Sequence, residues 1–444
     1  MPADSNGRGS APSGESGRGF RPASLDAVNF LLADVRGALG PYLNVFLVTQ
    51  QHWSQSEVGL VTSLAGWLGL AVQTPIGAAI DATHRKREAI VVALAVLGAG
   101  ALCIYLFPNF WPVLIANTLI AVVGDVFGPA VAALTLGLVP QRLLARRMGR
   151  NAAFDHAGNV AVAALAGLVG WLFSQQAVFL LVPVFAVLSS MAVLSIPASA
   201  IDQRRARGVE ASAEDGGSGG GAGGDGASEG ERVSGMGILV HCRPLLIFGV
   251  CALLFHFANA PLLPLVGQKL AAAHPEWATV MMSSCIIAAQ LVMLPIAVLV
   301  GRTADRLGRK PILLVGFAIL PLRAVLYTLS DNSAWLIGVQ LLDGVGAGIF
   351  TALTPLVIAD LMRGTGRYNL AFGAVATLQG VGAATSGFVT GVIVDRFGYS
   401  AAFLTAGAMA LIALAALFLG LPETAPAMPA EAGAGPLEEP SLAE

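Results

Sequence analysis

The sequence predicts an all-α membrane protein, with twelve transmembrane helices arranged as two pseudo-symmetric six-helix bundles. Three observations carry this. The 444 residues are 55% hydrophobic and only 12% charged, whereas soluble globular chains carry about 25% charged residues. Apolar segments of about 20 residues, the length a bilayer core requires, recur between short polar loops. A charged loop also occurs twice, at an offset of 224 (Gly77 to Gly301), which marks an internal duplication.

The elements follow in order. Residues 1–24 are rich in Gly, Ser, Pro and Arg with no apolar stretch, so they read as a disordered head with no leader sequence. The first bundle, 25–198, holds spans at 25–48, 56–80, 88–107, 110–138, 148–174 and 176–198. Residues 199–240 follow, mostly Gly between Gly216 and Gly226, and read as a flexible linker. The second bundle, 241–422, holds spans at 241–268, 277–300, 311–330, 333–361, 368–394 and 399–421. Residues 423–444 are Pro, Ala and Glu and read as a disordered tail. Many spans contain Gly and Pro, which membrane helices tolerate better than soluble ones. Cys103, Cys242, Cys251 and Cys285 are scattered among apolar residues and read as small packing residues.

The basic residues set the orientation, because cytoplasmic loops are enriched in Lys and Arg. With the N-terminus inside, the cytoplasmic face receives Arg85, Lys86, Arg87, the Arg142–Arg150 cluster, Arg302–Lys310, Arg363 and Arg367. The opposite face receives little more than Lys269 and Arg396. Both termini and the linker are therefore expected in the cytoplasm.

The repeated loop reads Gly77-Ala78-Ala79-Ile80-Asp81-Ala82-Thr83-His84-Arg85-Lys86 upstream and Gly301-Arg302-Thr303-Ala304-Asp305-Arg306-Leu307-Gly308-Arg309-Lys310 downstream. The duplication continues in Gly149-Arg150-Asn151 and Gly366-Arg367-Tyr368-Asn369, and in Pro41 and Pro264. The loop pattern closely resembles the signature of the major facilitator superfamily, and the resemblance covers about residues 25–422. It implies two parallel six-span repeats rocking around a midplane site. It also implies that Gly77, Asp81, Arg85, Gly301, Asp305, Arg306 and Arg309 belong to a cytoplasmic gate. Topology alone requires neither the Gly nor the Asp. Arg150 and Asp155, in the inner third of the fifth span, read as part of the same gate network.

Ionisable groups within spans are expensive and point to function. They are Asp34 and Arg36, Asp125, Asp155 and His156, His256, Arg323 and Asp343. The resemblance places the first, fourth, seventh and tenth helices around the cavity, hence Asp34, Arg36, Asp125, His256 and Asp343, and leaves Arg323 outside. Arg36 and Asp125 lie at similar depth; a structural pair and a coupling or substrate role are both open. Asp34 and Asp125 compete as proton carriers. Asn259 follows His256 by three residues, on the same helical face, beside Pro261 and Pro264. A substrate or proton site and a mere interhelical hydrogen bond are both open there. Arg323 and Asp343 sit mid-membrane in consecutive spans, and a structural ion pair is the first reading. A proton site at Asp343 is the alternative.

No nucleotide-binding loop or metal-site spacing occurs, and a net charge of −2 gives no argument for nucleic acid. The expectation is therefore no enzyme and no cofactor, but a monomer in the cytoplasmic (inner) membrane, with a small solute, protons and lipid as its partners. The resemblance implies a proton-driven secondary transporter. Relatives of this layout include many exporters working by proton antiport. Yet the fourth span has no Arg in Leu114–Gly124 and the fifth has no Gly-Pro-x-x-Gly-Gly, two marks of that group. Efflux is the first reading. Proton-coupled uptake of a small organic anion through Arg36, and a non-transporting receptor on the same fold, are the alternatives.

Overall fold

The computed structural model describes residues 22–33, 39–83, 85–202, 235–365 and 367–425. It is almost entirely helical. α1 (Pro22–Leu32) and α2 (Leu39–Thr49) fall on the described parts of the first span, and α3 (Gln55–Ala82), α4 (Lys86–Leu106), α5 (Phe110–Leu138), α6 (Gln141–Leu172) and α7 (Leu181–Leu194) complete the first half. The second half holds α8 (Gly235–His241), α9 (Arg243–Asn259), α10 (Leu262–Ala273), α11 (Ala278–Leu307), α12 (Arg309–Leu329), α13 (Ser333–Leu361) and α14 (Tyr368–Gly420).

Among the described residues, each expected span falls on helix. Two of them are covered jointly by α14, which breaks at Gly398 (φ 81°, ψ 173°), a conformation that only Gly adopts without strain. Leu378 lies against Gly249 while Gly420 lies against Ile247, so the two limbs of α14 run back along α9. The seventh span is divided between α9 and α10. Pro261 cannot donate a backbone hydrogen bond, which stops α9, and Pro264 sits in the first turn of α10, where no donor is needed. The ends of the expected linker and tail are ordered: Gly235–His241 is helical, and Glu423 is held against the start of α12.

Each half has its own apolar core. One cluster joins residues such as Val28, Phe46, Leu94, Phe127 and Phe179. The other joins residues such as Phe248, Phe255, Phe317, Leu353 and Phe403. A third, smaller cluster takes Tyr42, Val45, Ala166 and Val178 from the first half and Ala271, Ala278 and Met282 from the second. It lies at the end of the molecule opposite the signature loops, here called the far end. The halves meet through α3 with α14, α6 with α11, and α2 with α10.

Candidate functional site

At mid-depth in the second half, three helices converge on a buried charge. Arg323 of α12 is 1% exposed. Its Nη1 donates to Asp343 Oδ1 of α13 at 2.5 Å and to Asn259 Oδ1 of α9 at 2.8 Å. Its Nη2 donates to Gln340 Oε1 at 3.4 Å, and the Tyr327 hydroxyl, one turn along α12, donates to the same oxygen. Gln340 Nε2 closes the ring by donating to Asp343 Oδ2 at 3.1 Å. A lone buried charge is strongly disfavoured; here the guanidinium has a counter-ion and two neutral acceptors. The Asp343 side chain is 16% exposed against 2% for Arg323, so Asp343 is the less buried member of the pair.

His256 lies on α9, one turn before Asn259. Its Nδ1 is 3.0 Å from the Ala252 carbonyl oxygen. A carbonyl only accepts, so Nδ1 carries the hydrogen, and Nε2 of the neutral ring is left as an acceptor. The ring stands edge-on to Phe350 at 5.0 Å. The structure therefore links Asn259 and Asp343 through Arg323. Asn259 turns to Arg323, and no bond joins it to His256.

The other expected residues are distributed differently. Asp34 and Arg36 lie outside the described residues, and Asp125 falls on α5 with its side chain outside them. Asp155 is half-buried on α6. Arg150 pairs with Asp26 of α1 at 2.7 Å, and Arg147 joins the same carboxylate at 2.8 Å. His156 contacts Gln290 of α11 at 2.7 Å, a hydrogen bond between the halves.

At the signature loops, Arg309 is buried and pairs with Asp305 at 2.7 Å and Asp360 at 3.2 Å, and Asp360 also holds Arg363 at 2.7 Å. Gly301 lies within α11, and Arg306 is exposed. In the upstream copy Gly77 and Asp81 fall on the last turns of α3, with their surroundings outside the described residues. Arg85 is exposed, whereas Lys86 is 1% exposed and opens α4 as Arg309 opens α12. The structural counterpart of Arg309 is thus Lys86, one residue on from the pairing that aligned sequence suggests. Asp360 and Asp26 went unrecognised; an acid within three residues of Arg363, and an acid at the start of the first span, were the available signals.

Glu423 caps the downstream loop. Its carboxylate accepts from Arg309 N at 2.8 Å and Lys310 N at 3.1 Å, the first donors of α12. Partial burial pushes the carboxyl up, but the amides of Ala425, Arg309, Lys310 and Thr424 outweigh it and hold it below the usual range. Lowered in the folded state, it stabilises the fold above its ordinary value of about 4.3, and that contribution disappears as pH falls through the folded value. Glu423→Ala is expected to cost roughly 1 kcal/mol at neutral pH, the worth of a helix cap. Melting curves of wild type and variant should converge on acidification; a constant gap between them would contradict the capping role.

At the far end the halves are fastened together. Asp395 of α14 accepts from Gln55 N at 3.0 Å and Ser56 N at 2.8 Å, the first donors of α3. Gln55 Nε2 donates to the Tyr399 hydroxyl at 2.9 Å, and Phe388 N donates to Ser63 Oγ at 3.0 Å. Tyr42 Oη and Ser283 Oγ are 2.8 Å apart, and Trp171 stacks on Trp277 at 5.8 Å. Glycines allow this approach: a Cβ on Gly59 would stand 2.3 Å from the Gly387 oxygen, and one on Gly391 2.3 Å from the Gln55 oxygen. Ser54 and Glu57 complete α3 with a reciprocal capping box, a pattern readable from Ser-x-x-Glu. Beneath these contacts, α2, α3, α10 and α14 line a cavity of about 150 Å³.

The family model described as Major Facilitator Superfamily matches residues 25–288 and 245–443. An uncharacterized MFS-type transporter of Mycobacterium tuberculosis (strain ATCC 25618 / H37Rv) is 45% identical over 404 residues, covering 90% of this chain and 93% of its own. Sugar efflux transporter A of Dickeya chrysanthemi is 27% identical over 401 residues, covering 85% of this chain and 90% of its own. Among solved structures, the nucleoside transporter NupG superposes with a TM-score of 0.69 at 12% identity, covering 89% of this chain and 98% of its own; it shares the fold.

Proposed function

Because this chain belongs to the major facilitator superfamily, and is thus a multi-pass membrane transporter and not an enzyme, we propose that it exports a small solute by proton antiport. The observation that carries the coupling is the Arg323–Asp343 pair at 2.5 Å, more deeply buried on the arginine side than on the carboxylate side. A proton arriving on Asp343 neutralises the counter-ion. Arg323 then keeps only its neutral acceptors, Asn259 and Gln340, and the balance between α9, α12 and α13 changes. Asp34 and Asp125 remain carrier candidates in the first half, and His256 Nε2 is a second proton acceptor beside the pair.

The basic loops support a cytoplasmic-membrane orientation with both termini inside. On that orientation the far end is the outer face, and the structure has it shut. The carrier works as a monomer, since each chain brings both halves of the fold. Export is favoured by the full-length likeness to a protein named for efflux; that name speaks for direction and is not carried over as the substrate.

The test uses the full chain in liposomes with an imposed pH gradient, a pH dye inside, and a panel of sugars, nucleosides and cationic drugs. A solute of the panel is expected to drive proton movement in wild type. Asp343→Asn should lose gradient-driven accumulation by about tenfold or more, while solute exchange at equal pH survives, because binding and rocking need no net proton transfer. Undiminished pH-driven transport in Asp343→Asn, Asp34→Asn and Asp125→Asn alike would overturn the coupling.

A further inference from the structure

The complete signature pattern Gly-x-x-x-Asp-Arg-x-Gly of Gly301–Gly308 occurs once more in the chain, at Gly391-Val392-Ile393-Val394-Asp395-Arg396-Phe397-Gly398, an offset of 90 (Gly301 to Gly391). The dipeptide Asp-Arg stands at these two places alone. The backbone repeats with the sequence. Gly308 has φ 86° and ψ 162°, and Gly398 has φ 81° and ψ 173°, a region essentially reserved for glycine. In each copy the residue after that glycine opens the next helical stretch, α12 at Arg309 and the second limb of α14 at Tyr399. The two copies lie at opposite ends of the molecule, because α11 runs from the far end to the signature loop and the first limb of α14 runs the other way. An inverted repeat nested within one half produces that placement.

The offset of 224 that relates the two halves then marks a fourth copy at Gly167–Ser174 (Gly167 to Gly391). It keeps the leading glycine, but Trp171 stands in the place of Asp395 and Ser174 in the place of Gly398. Trp53 and Trp277, just before α3 and α11, align at the same offset. Each far-end copy touches the start of its helix in the opposite half. Asp395 accepts from Gln55 N and Ser56 N of α3, and Trp171 stacks on Trp277. The leading glycines let the helices close: a Cβ on Gly391 would stand 2.3 Å from the Gln55 oxygen, and one on Gly167 2.8 Å from Ser283 Oγ. One seam is thus clasped by a carboxylate on a helix N-terminus, where the dipole favours it, and the other by apolar rings. At the signature end the downstream acid spans no seam. The Asp305 side chain is 86% exposed, and its partner Arg309 belongs to its own half.

We propose that Gly391–Gly398 is a working latch of the signature design at the far end, with Asp395 as its acid, and that it opposes Asp305. Asp395 holds the form with the far end shut, and Asp305 the form with the far end open. This latch rests on alternating access and on the gate role of Asp305, and on neither proton coupling nor the direction of transport.

The experiment reads the far-end separation on the full chain in liposomes, at equal pH on both sides and without solute. The four native cysteines are replaced by Ala. Spin labels are placed at Asn109→Cys and Ser400→Cys, exposed positions on opposite halves at the far end, and pulsed EPR gives the ratio of long to short distances. Asn has one acceptor oxygen and turns its NH2 toward the second amide. Asp395→Asn is therefore expected to raise the ratio about fivefold, the size of a lost helix cap. Asp305→Asn should lower it by a similar factor, and the double variant should return to within about twofold of the parent. Loss of a merely structural cap would lower the melting temperature and leave the ratio in place. Gly398→Ala keeps the acid, has room for its Cβ and strains only the loop backbone. It should raise the ratio as Asp395→Asn does, and it serves if that variant folds poorly. An unchanged ratio in either acid variant, or a shift in the same direction by both, overturns the latch. Undiminished pH-driven transport in Asp343→Asn would instead count against the coupling reading and leave the latch standing.

Discussion

Arg323→Met is expected to leave little folded protein in the membrane. The residue is 1% exposed and holds Asp343, Asn259 and Gln340 at once. Removing it strands a carboxylate and two amides in an apolar interior. Breaking a buried pair by deleting one partner costs about 3–5 kcal/mol, a large share of the roughly 5–15 kcal/mol by which domains are stable. The double variant Arg323→Met/Asp343→Leu is expected to recover much of this, since replacing both charges with apolar groups is often neutral, yet to transport nothing against a pH gradient. Size-exclusion profiles and melting temperatures of the two variants decide the matter. A single variant as stable as wild type would show that the pair contributes no more than a surface contact.

The second large effect concerns the outer seal. Gly59→Ala places a methyl where the Gly387 carbonyl oxygen now stands, 2.3 Å from the Cβ position. Overpacking of this kind costs about 1–3 kcal/mol, and parting α3 from α14 relieves it. Asp395→Ala acts at the same contact by uncapping α3, for roughly 1 kcal/mol. Either free-energy change moves the equilibrium between inner- and outer-open forms by about fivefold or more. Ser386→Cys in the cavity is the reporter. In intact cells a membrane-impermeant maleimide should label it about fivefold or more faster in both variants than in the Ser386→Cys parent. Unchanged labelling would mean that the seal does not depend on this contact, and labelling only from broken cells would reverse the orientation.

The fold was legible because its signals are local. Apolar length and the repeated charged loop are each read from neighbouring residues, and the break in the seventh span falls at Pro261. The Arg323–Asp343 pair was legible too, since consecutive spans with a short loop bring equal depths together. What escaped was long-range or one residue out of register. Asp395 meets Gln55 across 340 positions, and nothing local marks that pairing. Gly59 and Gly391 stand among 53 glycines, so composition hides the few that touch backbone. Lys86 was passed over for Arg85 because the loops align by charge, whereas burial follows the first residue of the helix.

The split between α9 and α10 has a mechanical consequence. A rigid rod transmits a tilt from one end to the other at once, so a carrier built of rods would unlatch one face at the moment the other closes. Here α9 packs on α14 while α10 packs on α2 and α11, and Pro261 removes the hydrogen bond that would splice them. Each piece follows its own neighbours. The two faces can then act in sequence, with an interval in which both are shut, like the chambers of an airlock.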